Sequence, residues 1–174
     1  FFKNEFDFIC APGHDKAKLK AYTNALFFDG SLAKVSTQDP NDYIGLIGLG
    51  GINKHYEFDE DDLIKQIEYL LTLYPKIDWY LFPSRRTPNS MINKIKMLTN
   101  SFANLIISHD NFDEIIKQAS IKFITQDSVN MVYESLSTKG QTFVFNMKYR
   151  KENKITKQLV SMIKNRQIGY VENI

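Results

Sequence analysis

The sequence predicts an α/β domain, an open parallel (Rossmann-like) sheet of about five strands with helices on both faces. Three observations predict it. Short apolar runs alternate with stretches of helical period through residues 41–174. Each run ends in a turn rich in Gly, Pro, Ser or Asp that leads directly into the next helix, the grammar of strand–helix–strand units. The polar residues with binding chemistry cluster at those junctions, the carboxyl ends of the strands, where open α/β sheets take their ligands.

Composition narrows the class. A chain of 174 residues, 43% apolar, makes one domain or one domain plus a fragment. No apolar run reaches the ~18 residues a bilayer span needs. A net charge of +2 is too weak to argue for nucleic acid. The single cysteine, Cys10, forms no internal disulfide, which suits a reducing, cytoplasmic setting. The chain begins at Phe1 without Met, and its opening residues read as neither signal nor transit peptide but as the interior of a longer chain.

Residues 1–40 are expected to be a remnant and linker, and 41–174 the main domain. Residues 7–11 (DFICA) read as a strand and Pro12-Gly13-His14-Asp15 as the turn that ends it. His14 and Asp15 are either an acid/base pair or a turn in which Asp15 caps the chain from Lys16 onward. Residues 16–28 show no clean period and read as linker, Gly30-Ser31 as a turn, 33–36 as a short strand and Asp39-Pro40-Asn41 as a break.

The first strand of the main domain is 43–48 (YIGLIG), followed by a loop containing Gly50, Gly51, Asn53 and Lys54. Glycines there let backbone amides approach a ligand, and Lys54 could meet a diphosphate. The spacing is neither a dinucleotide fingerprint nor a Walker A motif, which argues against nicotinamide or ATPase chemistry. The acidic run 58–62 reads as the capped first turn of a helix, with Asp59 as N-cap, rather than a metal cluster. Leu63, Ile64, Ile67, Leu70, Leu71 and Tyr74 form the apolar stripe of that helix, and Pro75 ends it.

Residues 78–82 (DWYLF) are the second strand, unloading into Arg85 and Arg86, with Thr87 as N-cap and Pro88 opening the next helix. Arginines at such a strand end suit phosphate oxygens. A helix over 89–98, a third strand over 105–108, His109 at its end and a helix over 111–119 come next. Residues 122–145 form a strand–turn–helix–strand unit with Phe123-Ile124 as fourth strand and 142–145 as fifth. Either Asp127 or Ser128 caps its helix, and Gly140 closes it. The start of that helix is an anion site in waiting, and Glu134 lies two turns along. A polar loop, a basic amphipathic helix over 154–165 and a short tail complete the chain. That helix packs on the sheet by default, with peripheral membrane contact as the other use of its face.

Four stretches carry a family resemblance: TQDSVNMVYES (125–135) with FVF (143–145), Gly50-Gly51-Ile52-Asn53-Lys54-His55-Tyr56, Ser84-Arg85-Arg86-Thr87-Pro88, and Pro12-Gly13-His14-Asp15 with Gly30-Ser31-Leu32. In order and spacing the chain resembles the mitochondrial fission "elongated mitochondria" family and its bacterial relatives. The resemblance implies the nucleotide-binding C-terminal lobe of two-lobed GT-B glycosyltransferases, most of an N-terminal lobe missing, and a UDP- or GDP-linked sugar as ligand without metal or other cofactor. It implies a ligand-binding set of Gly50, Gly51, Asn53, Lys54, Arg85, Arg86, His109, Asp127, Ser128, Met131 and Glu134, the glutamate on ribose hydroxyls. His14 and Asp15 would face the cleft. Where such transferases often carry Ser-Gly, this chain has Asp127-Ser128, a carboxylate that would repel a diphosphate unless turned aside. Two other functions share the lobe: a non-catalytic module of the kind that recruits a dynamin-like GTPase in the plant relatives, and a nucleotide-sugar 2-epimerase.

Overall fold

The computed structural model describes the backbone of residues 6–28, 33–152, 154–164 and 169–170, with side chains for all of these except 12–15, 154–155, 158 and 169–170. The chain divides into two compact units, Phe1–Ala33 and Lys34–Ile174.

In the first unit, β1 (Ile9–Pro12) runs through a 3-10 turn at Gly13–Lys18. It pairs in parallel with β2 (Ala25–Phe28), Ile9 opposite Ala25. The linker expected over 16–28 is therefore corrected. Four apolar residues are too few to show a period, but their backbone groups still need partners, and β1 supplies them. Ala11 and Leu19 are buried in this unit. The turn expected at Gly30-Ser31 lies outside the described residues, as do the side chains of His14 and Asp15.

The second unit opens with residues 34–40, which join no strand. The strand expected over 33–36 is absent because Ser36 spends its amide on the Ser137 carbonyl at 2.9 Å, and Lys34 gives its carbonyl to the Ser137 hydroxyl at 3.0 Å. Then strands and helices alternate: β3 (Asn41–Leu49), α1 (Glu60–Leu73), β4 (Asp78–Pro83), α2 (Asn89–Leu98), β5 (Leu105–Ile107), α3 (Phe112–Gln118), β6 (Ala119–Ile124), α4 (Val129–Leu136), β7 (Gln141–Val144), α5 (Lys154–Lys164) and β8 (Gly169–Tyr170). The six strands form one sheet in the order β5-β4-β3-β6-β7-β8, every pair parallel. The open parallel sheet is as expected, with β8 as a sixth strand beside the anticipated five.

From β3 the chain steps outward through α1 and α2 to β5. It then recrosses the sheet through α3 and steps outward the other way to β8. Parallel crossovers are right-handed as a rule, and by that rule connections leaving in opposite directions put the first and later helices on opposite faces.

Local sequence accounts for most boundaries. Asp59 caps α1, its carboxylate accepting the amides of Asp61 and Asp62 at 3.1 Å each. Leu63, Ile67, Leu70 and Leu71 are the buried stripe of α1. α3 passes into β6 with no intervening loop, so the helix expected to reach Ala119 stops one residue earlier and the strand is longer than Phe123-Ile124. Gly140, at φ 91°, makes the turn into β7.

The core sits on the central strands. Trp79 of β4 is fully buried against Tyr74 and Phe123, ring centroids 6.1 and 5.9 Å away. Gly45 of β3 makes room for it, since a Cβ there would lie 2.5 Å from the indole. In β6 every residue from Ile121 to Ile124 is buried, as a central parallel strand requires. One of them is Lys122, whose ammonium donates to the Ser135 carbonyl and the Thr138 hydroxyl at 2.7 Å and to the Lys139 carbonyl at 2.8 Å, around the end of α4. α5 buries Leu159 and Met162 on the core. Among the described residues no helix is long and apolar enough to cross a membrane.

Candidate functional site

β3 and β6 are neighbours whose onward connections leave in opposite directions, which makes their carboxyl ends the switch point of the sheet. The loop after β3 and the turn after β6 meet there. Gly50 donates its amide to the Thr125 hydroxyl at 2.6 Å, and Gly51 donates its own to Asp127 Oδ2 at 2.9 Å. The turn after β4 joins them: Arg86 Nη2 reaches the same Asp127 oxygen at 3.1 Å. The Thr87 hydroxyl donates to the Gly50 carbonyl, and the Ser84 amide to the Leu49 carbonyl at 2.9 Å.

Both glycines are required by contact rather than by backbone angle. A Cβ on Gly50 would sit 2.1 Å from Asp127 Oδ2, and one on Gly51 would sit 1.9 Å from the Arg86 carbonyl oxygen.

The expectation that Thr87 caps α2 is corrected: that position belongs to Pro88, with no side-chain capping bond. The hydroxyl of Thr87 is committed to the β3 loop instead. The cap of α4 departs in a similar way. Ser128 holds the cap position without making a capping bond, and Asp127 turns across to Gly51 and Arg86. The first-turn amides of α4 are thus left without a side-chain acceptor from the cap, the condition under which a helix start favours an anion.

Asp127 has a fully buried side chain beside a half-exposed Arg86. Its Oδ2 takes both the amide and the guanidinium, while Oδ1 is buried with no hydrogen-bond partner. Burial pushes the carboxyl above its ordinary range, opposed by the Gly51 amide, the Thr125 hydroxyl and the Arg86 charge.

The other candidates are distributed along the same edge. Asn53 is spent on its own loop, donating to the Gly51 carbonyl at 3.0 Å and accepting the amides of His55 and Tyr56 at 2.6 and 2.9 Å. Lys54, Arg85 and His109 are exposed, and among the described residues no hydrogen bond ties them to the Asp127 cluster. Met131 is half-buried, its sulfur 3.4 Å from where a Cβ on Gly48 would stand. Glu134 is exposed on α4, and partial burial with the Asp113 charge pushes its carboxyl up.

Two cavities open at this edge from neighbouring loops. One, of about 380 Å³, is lined by Glu57, Asp59, Asp62, Asn146 and Lys148 over Leu63 and Met147. The other, of about 560 Å³, adds Tyr149, Val160 and Ile163, and Gln126 is the part of the β6 turn that reaches it. Between Gly51 and Arg86 the space is taken by the Asp127 carboxylate itself. Sequence reasoning did not assign Thr125, Thr87 or this acidic-walled hollow to the site, because each depends on partners far along the chain.

Among solved structures, the chain is similar to the pneumococcal O-GlcNAc transferase GtfA in complex with UDP and GlcNAc. The two are 13% identical with a TM-score of 0.47, over 82% of this chain and 31% of that one. It is also similar to a chain of the GtfA/B complex, 10% identical with a TM-score of 0.47, over 94% of this chain and 39% of that one. This chain therefore spans well under half the length of those proteins. No curated protein matches it. The sequence profile of the mitochondrial fission ELM1 family does match, across residues 2–172, and the chain belongs to that family.

Proposed function

We propose that the second unit binds a nucleoside-diphosphate sugar and serves as the donor half of a metal-independent, glycosyltransferase-like protein. The observation that carries this reading is the convergence of a backbone amide (Gly51), a guanidinium (Arg86) and an uncapped helix start (α4) at the sheet's switch point. Such a set of donors fits a diphosphate, holding it and stabilising it as a leaving group without a metal ion. Glu134, further along α4, is suited to ribose hydroxyls. Arg86 rather than Arg85 is the arginine assigned to the phosphates, since it is the one tied to this cluster.

A rival function draws on two specific observations: the family is described by mitochondrial fission, and the anion donors already have an acceptor in Asp127. Both fit a non-catalytic recruitment module. Calorimetric titration with UDP, UDP-sugars and GDP-sugars separates the two. Saturable binding that weakens at least about tenfold in Arg86→Ala and in Glu134→Ala is the expected result. Absence of binding to every nucleotide would remove the donor-half reading and leave the recruitment module.

A further inference from the structure

We infer that Asp127 is the resident anion of the phosphate cradle, a carboxylate that an incoming diphosphate must displace and that therefore sets the affinity of the site. The inference rests on the nucleotide-sugar reading and adds how that site is controlled.

The geometry is that of an occupied anion site. Asp127 Oδ2 accepts the Gly51 amide at 2.9 Å and Arg86 Nη2 at 3.1 Å, the positions a phosphate oxygen would take. The side chain that supplies this oxygen is wholly buried, and its second oxygen, also buried, has no hydrogen-bond partner. A carboxylate placed only for the stability of the loops would be expected to use both acceptors, since an unpaired buried oxygen is costly. The α4 amides next to it are not capped by Ser128. Asp127 thus satisfies the Gly51 amide and Arg86 while leaving the helix start open to a larger, more highly charged group.

Two further features favour displacement over permanent closure. Arg86 is half-exposed, so the guanidinium can keep its hold on an anion entering from solvent. Burial already disfavours the charged form of Asp127, which lowers the cost of moving or neutralising it. The chemistry that competes is a pyrophosphoryl group, which has several oxygens to give where Asp127 gives one.

The test compares the wild-type chain with Asp127→Asn, with inorganic pyrophosphate and UDP as probes in calorimetry. Asparagine keeps the shape and an oxygen for Gly51 while removing the charge that competes for Arg86. Asp127→Ser provides a second, smaller replacement should the first fail to fold, which circular dichroism and thermal melting would show. The expected result is that both probes bind the variant at least about tenfold more tightly than wild type, a conservative figure for removing a like charge within a few ångströms. The gain should disappear when Arg86→Ala is added. Equal or weaker binding in the variant, with wild type still binding UDP, overturns the inference and leaves the nucleotide reading standing. No binding of either probe to any form overturns both.

Discussion

A lysine ammonium inside a central strand shows how one residue can hide from sequence reasoning. Lys122 is fully buried in β6, its ammonium surrounded by oxygens of Ser135, Thr138 and Lys139 at the end of α4. Those carbonyls and the negative end of the helix dipole orient the charge, yet burial pushes its pKa down from 10.5 to about 8. In the unfolded chain the amine keeps its proton to higher pH, so between the two values the unfolded state binds more protons and stability rises with pH. Below the folded value the cost of burying the charge is present in full. The unfolding free energy, measured by urea denaturation, is expected to gain on the order of 3 kcal/mol between pH 8 and 10.5 relative to a Lys122→Met variant. In sequence, this lysine cuts a six-residue strand to the two apolar residues after it, because its partners lie 13 to 17 residues downstream. The same limit applies to Asp127, whose polar role is legible in sequence but whose direction is not. It is set by Gly51, 76 residues away in sequence.

Helix starts mark the boundary between what local sequence determines and what the fold decides. α1 is readable because its cap, acidic first turn and apolar stripe all act within one element. Asp59→Ala is expected to lower stability by about 1 kcal/mol, read from the denaturation midpoint, since two first-turn amides lose their acceptor. At α2 and α4 the same residue types stand at the expected places, but Thr87 and Asp127 serve the β3 loop instead. A side chain turned toward a backbone group of another strand is not available to cap its own helix, and that competition leaves no trace in the local pattern. The α3–β6 junction is blurred for a simpler reason, the lack of any Gly or Pro between helix and strand.

For the whole molecule, alternation of strands and helices is enough to predict a parallel sheet and to bring the loops that carry most of the candidate residues to its carboxyl edge. Strand order is not readable, because periodicity carries no information about which strands are neighbours. The two-residue β8 is too short to have a period at all. The order that emerges puts β3 and β6 at the centre and β5 and β8 at the edges. Amide hydrogen exchange should therefore be slowest in β3 and β6, whose bonds break only with the sheet, and markedly faster in β5 and β8. Uniform protection across all six strands would contradict this arrangement.

The packing of Trp79 has a practical consequence. It is the only tryptophan in the chain, sealed at the β3–β4 seam over Gly45 and flanked by Tyr74 and Phe123. Its fluorescence is thus an intrinsic optical gauge of the central sheet. The emission maximum lies toward the blue while the indole is shielded and moves red when water reaches it, so the protein reports the integrity of its own scaffold without a label.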